Sequence, residues 1–131
     1  MDGRWVFIEW DAEWGMGLTP DGWQADSIRV LLGKRAPLRD LFAALIKNGE
    51  YRAYFRSEVD RYLEGDLSPE NVRRHVDREA EAVRPVIPSE LRTNAAGFTP
   101  EIWEANVETL RRFADNRGKV FRRLVARALE E

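Results

Sequence analysis

Residues 37–49 read PLRDLFAALIKNG, and their periodicity decides the fold class. Leu38, Leu41, Phe42 and Leu45 recur at three and four residues, the spacing of one helical face. Asn48-Gly49 is a stop signal for that helix. Downstream the same pattern returns, with Tyr51, Tyr54, Phe55, Val59, Tyr62 and Leu63 on the apolar side of a second helix that Gly65 ends. Ser68-Pro69-Glu70 is a start signal, Ser68 as N-cap and Pro69 at the first helical position. The third helix carries Val72, Val76, Ala80 and Val83 and is closed by Pro85 and Pro88. After an irregular stretch containing Asn94 and Gly97, Thr99-Pro100-Glu101 repeats the start signal. A fourth helix then carries Ile102, Trp103, Val107, Leu110 and Phe113. Asp115 is expected to cap a fifth, with Val120, Phe121, Leu124, Val125 and Leu129.

Upstream of Pro37 the character changes. Residues 15–36 are loop-like, with Gly15, Gly17, Pro20, Gly22 and Gly33, and hold one short apolar piece at residues 28–32 that fits a helical turn or a short strand. Residues 4–11 alternate: Trp5, Phe7, Glu9 and Asp11 share one parity, and Val6, Ile8 and Trp10 the other. This is a strand covered on both faces, entered through an Asp2-Gly3 turn of the hairpin kind. The expectation is a single, mainly α domain over residues 1–131, with a strand or hairpin at 1–14, a loop region at 15–36 and about five helices over 37–131.

The chain has 131 residues, 44% hydrophobic and 34% charged, which fits a globular protein. No apolar run approaches the roughly 20 residues of a membrane span. The N-terminal stretch carries acids and tryptophans where a signal peptide has basic and then apolar residues. A net charge of −2 gives no nucleic-acid footprint. With no cysteine and the single His75, a metal would be held by oxygen ligands, which favours Mg, Mn or Ca. Arg73, Arg74, Arg111, Arg112, Arg122 and Arg123 read as solvated polar faces with i,i+4 pairs. Tyr51 is expected in the core and Arg52 on an acid or a helix end. His75 reads as a surface histidine, and Trp5, Trp10 and Trp14 as packing residues.

The ordered motifs carry a resemblance. Trp10-Asp11, Glu13 and Gly15 come first, then Asn48, Glu50-Tyr51-Arg52 and Tyr54-Phe55. Leu67-Ser68-Pro69-Glu70-Asn71-Val72 and Arg84-Pro85-Val86-Ile87-Pro88 follow, and Leu110-Arg111-Arg112-Phe113-Ala114-Asp115-Asn116-Arg117 closes the set. In this order they resemble the CotH (spore-coat protein H) kinase family of bacteria. Two positions depart from its pattern: Glu13 stands where an Asp is usual, and Arg92-Thr93 lacks an aromatic. The resemblance implies an atypical protein kinase fold, in which ATP binds between a small lobe and a helical lobe. It implies Mg or another divalent metal held by acids, here Asp11 and Glu13, and a protein hydroxyl as substrate. A cytoplasmic or spore-coat setting would follow. In an ideal strand the Cα atoms of Asp11 and Glu13 lie roughly 6.5–7 Å apart on one face, and Mg on phosphates needs only one or two protein carboxylates.

A kinase site also needs a phosphate-covering loop, a lysine on the phosphates and a catalytic loop, which usually precede the metal-binding acid. Ten residues precede Asp11, without lysine. The chain therefore reads as a C-terminal fragment or a subunit, inactive alone, whose partner is an N-terminal lobe in the same polypeptide or a separate chain. The alternative is a non-catalytic helical interaction module. A strand with open edges also predicts self-association.

Overall fold

The computed structural model describes residues 16–17, 22–33, 37–94, 97 and 99–130. The strand expected at 1–14 lies outside them. The described residues are mainly α: α1 (Ser27–Gly33), α2 (Pro37–Leu45), α3 (Gly49–Glu64), α4 (Pro69–Val83), α5 (Ile87–Asn94) and α6 (Pro100–Glu130), with 3-10 turns at Gly22–Gln24 and Arg84–Val86.

Local chemistry sets these boundaries. The Ser68 hydroxyl accepts from the Asn71 amide, and Pro69 occupies the first turn of α4, where no N–H partner is needed. Thr99 does the same for α6, its hydroxyl accepting from the Ile102 amide. The hydroxyl also holds the Glu101 carboxyl below the usual carboxylate range. At the end of α3, Gly65 donates to the Arg61 carbonyl, and the Asn71 side chain donates to the Gly65 carbonyl. One capping group thus joins two helices.

Four sequence expectations are corrected. Asn48-Gly49 does not end α2, which stops at Leu45; the Asn48 side chain accepts from the Tyr51 amide and opens α3. Pro88 does not close a helix. It lies in the first turn of α5, where a missing N–H costs nothing. Asp115 is not a cap: α6 runs unbroken for 31 residues, and Asp115 lies inside it, paired with Arg73 of α4 at 2.7 Å. The arginines are not merely solvated i,i+4 faces. Arg111 binds Asp77 of α4 at 2.7 Å, and Arg122 binds Asp60 of α3 at 2.6 Å. Asp77 holds the Arg111 guanidinium above even its usual range. The open choice at residues 28–32 resolves as helix α1.

α6 is the spine, and two small apolar clusters are strung along it. Near its C-terminus Val125 and Leu129 pack with Ile28 of α1, flanked by Leu32, Ile46, Phe55 and Val59. Near its N-terminus Val107 packs with Val76 and Ala80 of α4, flanked by Met16, Trp103 and Leu110. α2 leans on the first cluster through Phe42, edge-on to Phe55 at 5.3 Å. Tyr51 is half-buried rather than central, stacked on Phe55 at 6.2 Å. Arg52 takes a helix end as expected, donating to the Ile46 and Lys47 carbonyls beyond α2.

Gly118 lies in mid-α6, where a Cβ would meet Leu63 at an ordinary 3.6 Å. Gly118→Ala is therefore expected to stabilise the chain by about 0.5–1 kcal/mol, since alanine loses less backbone freedom on folding. Thermal unfolding should shift upward by about 2–5 °C; a downward shift would mean that the α3–α6 contact is tighter than drawn.

Candidate functional site

The site can be built from α6 outward. Arg117 projects from the middle of the helix and donates to the Trp23 carbonyl (3.0 Å), the Ala25 carbonyl (2.6 Å) and the Ser27 hydroxyl (2.7 Å). Its guanidinium also lies over the Phe121 ring. Burial pulls its pKa below the ordinary arginine range, opposed in part by Asp26. Arg127, three turns further on, pairs with Asp26, which also caps α1 by accepting from the Arg29 amide. Residues 22–27 are thereby fastened along α6.

One planar side chain serves three acceptors here, and a point charge cannot reproduce that. Arg117→Ala is expected to cost about 1.5–3 kcal/mol, with Arg117→Lys recovering little of it, as read by chemical denaturation. Near-full recovery by lysine would show that charge, not the fork, is what matters.

The backbone then returns toward Met16 under tight constraint. Gly17 has φ +67°, and a Cβ there would sit 2.9 Å from the Gly22 backbone and 3.0 Å from Phe113. Met16 itself has φ 55°, a conformation that non-glycine residues adopt at a cost of about 1–2 kcal/mol. Its side chain is packed against the Val76, Ala80 and Val107 cluster.

Beside Met16 lies a groove of about 630 Å³ between α4 and α6. Val72, Val76, Ala80 and Val83 form one wall, and Trp103, Val107 and Leu110 the other. Asp66, His75 and Glu79 are the polar groups at its edge, and all three are exposed. Among the described residues no lysine or arginine lines the groove, though the Arg84 guanidinium lies over the ring of Trp103. Among the described residues no group of three or more His, Asp or Glu is placed to hold a metal ion.

Asp11 and Glu13 lie outside the described residues, as do Trp5, Trp10, Trp14 and Gly15. The later motifs prove architectural. Arg111 and Asp115 tie α6 to α4, Phe113 backs Gly17, Ala114 is buried, and Arg117 holds the 22–27 segment.

Sequence reasoning missed the groove. Its two walls read individually as core stripes.

A family model described as CotH kinase protein matches residues 1–121. No curated protein and no solved structure matches the chain.

Proposed function

This chain belongs to the CotH kinase family, and on that premise we propose that it supplies the helical lobe and the metal-ligating acid of an ATP-dependent protein kinase. One observation carries the reading: the matched span, residues 1–121, includes Trp10-Asp11-Ala12-Glu13 as well as the helical motifs. Asp11 and Glu13 would hold a divalent ion, Mg being the natural choice for carboxylate ligands. The ion's chemistry is charge neutralisation on the phosphates during transfer to a protein hydroxyl.

Among the described residues, no cationic side chain lines the α4–α6 groove to meet a triphosphate. The grip on the phosphates and the catalytic loop therefore come from a nucleotide-binding lobe outside the described residues, within one polypeptide or from a separate chain. The 131-residue chain alone is expected to transfer no phosphate from ATP to itself or to a protein substrate. Metal-dependent phosphorylation by the purified chain would overturn that. Combined with its nucleotide-binding lobe, activity should appear, and Asp11→Asn should lower it by at least about a hundredfold. Equal activity in that variant would remove Asp11 from the metal site.

A second reading, a non-catalytic interaction module, draws on the apolar edge of α2 and α3, where Leu38, Leu41 and Tyr54 are about half exposed. It gains if Asp11→Asn changes neither metal-dependent stability nor partner binding. No helix among the described residues is long and apolar enough to cross a membrane.

A further inference from the structure

The last third of α6 carries a charge unlike that of the chain as a whole. Lys119 and Arg123 stand one turn apart on one helical face, and Arg127 follows a turn later. All three are exposed. A cavity of about 430 Å³ opens beside them, with Trp23 and Gln24 on one side and Val120, Arg123, Leu124 and Arg127 of α6 on the other. Arg127 and Leu124 also line an adjoining cavity to which α1 contributes Arg29.

These cations are short of partners. Among the described residues the side chains of Arg29, Lys119 and Arg123 have no hydrogen-bond or ion-pair partner. Of the acids nearby, Asp26 is taken up by Arg127 and by the Arg29 amide, and Asp115 by Arg73 of α4. Glu130 stands past Arg127 in the last turn of α6. Trp23 adds a buried indole N–H with no acceptor among the described residues. Donors therefore outnumber acceptors around this cavity. We propose that the surface docks an acidic segment of a partner protein, bound extended along α6.

Spacing favours that occupant. Lys119, Arg123 and Arg127 recur every about 6 Å along the helix axis. Alternate side chains of an extended peptide recur every about 6.6–6.8 Å on one side. Three carboxylates at alternate positions therefore meet three cations in register. Between them Val120 and Leu124 supply an apolar floor for the methylenes of the bound segment. A nucleic acid is the poorer fit: the chain's net charge of −2 opposes a long polyanion, and few free cations are present to displace its counterions.

Fluorescence anisotropy of a short labelled peptide with glutamate at three alternate positions tests this on the purified chain. The peptide should bind saturably and more weakly as salt rises, and its glutamine counterpart should not bind. Lys119→Gln with Arg123→Gln should weaken binding at least about fivefold at low salt, two exposed charge pairs being lost. Neither residue has a partner in the fold, so the unfolding midpoint should stay in place. Lys47→Gln with Arg56→Gln removes the same charge from exposed positions elsewhere and should change binding less than about twofold. Equal losses in the two double variants would overturn the proposal, since net charge alone would then explain binding. So would the absence of saturable binding, or a single-stranded oligonucleotide bound as tightly as the peptide. The readout involves no phosphoryl transfer, so it stands or falls apart from the kinase reading.

Discussion

Val125→Asp is expected to abolish folding of the chain. Val125 is the least exposed of the core residues, at 2%, and it joins Ile28 and Leu129 in the cluster that ties α6 to α1. A carboxylate there loses its water and meets only apolar side chains. The cost is at least about 4 kcal/mol, against a total stability of about 5–15 kcal/mol for an ordinary domain. Eight residues make up the buried apolar core of the described chain, so few other contacts compensate. Val125→Ala keeps the chemistry and removes about two methylenes' worth of packing, about 2 kcal/mol. Circular dichroism and a urea titration separate the two: a lowered midpoint for alanine, no cooperative transition for aspartate. A cooperative transition near the parent midpoint for Val125→Asp would mean that α1 is not docked as described.

Gly22→Ala should produce the second large effect, and a more local one. The added Cβ would fall 2.4 Å from the Gly17 Cα and 2.8 Å from its carbonyl carbon. Both are backbone atoms, and neither can rotate aside as a side chain can. Gly17 cannot yield easily, since its φ is positive and Phe113 lies behind it. The expected loss is at least about 2 kcal/mol. Met16 should leave the α4–α6 groove with it, raising the binding of an apolar dye. Gly33 supplies the control, because a Cβ there meets nothing within 4 Å; Gly33→Ala should leave both readouts unchanged. A silent Gly22→Ala would refute the close approach of the two glycines.

Helix identity was legible wherever an apolar period coincided with a capping signal. Ser68-Pro69 and Thr99-Pro100 mark true starts because the hydroxyl satisfies a free amide whatever the helix later packs on. Asp115, Asn48 and Pro88 are residues whose local chemistry permits two roles: Asn48 and Pro88 open the helix that follows instead of closing the one before, and Asp115 takes a distant partner. Asp115 could have capped a helix had Arg73 not been placed across from it on α4. Nothing near Asp115 in sequence announces that arginine, 42 residues away. Arg117 was legible as part of a motif but not as a clamp, since its acceptors are mostly backbone carbonyls, which no sequence distinguishes. The acids Asp11 and Glu13 stand out by type and spacing alone, and both lie outside the described residues.

The 31-residue α6 measures about 46 Å at the usual rise per residue. Both apolar clusters hang on this one rod, and neither has another helix in common with the other. Each cluster alone is too small to hold a helix of its own, yet melting either would strip α6 of half its support. The amides of α6 between Val107 and Val125 should accordingly exchange with solvent hydrogen last and as a single kinetic group, with α2 and α5 exchanging long before them.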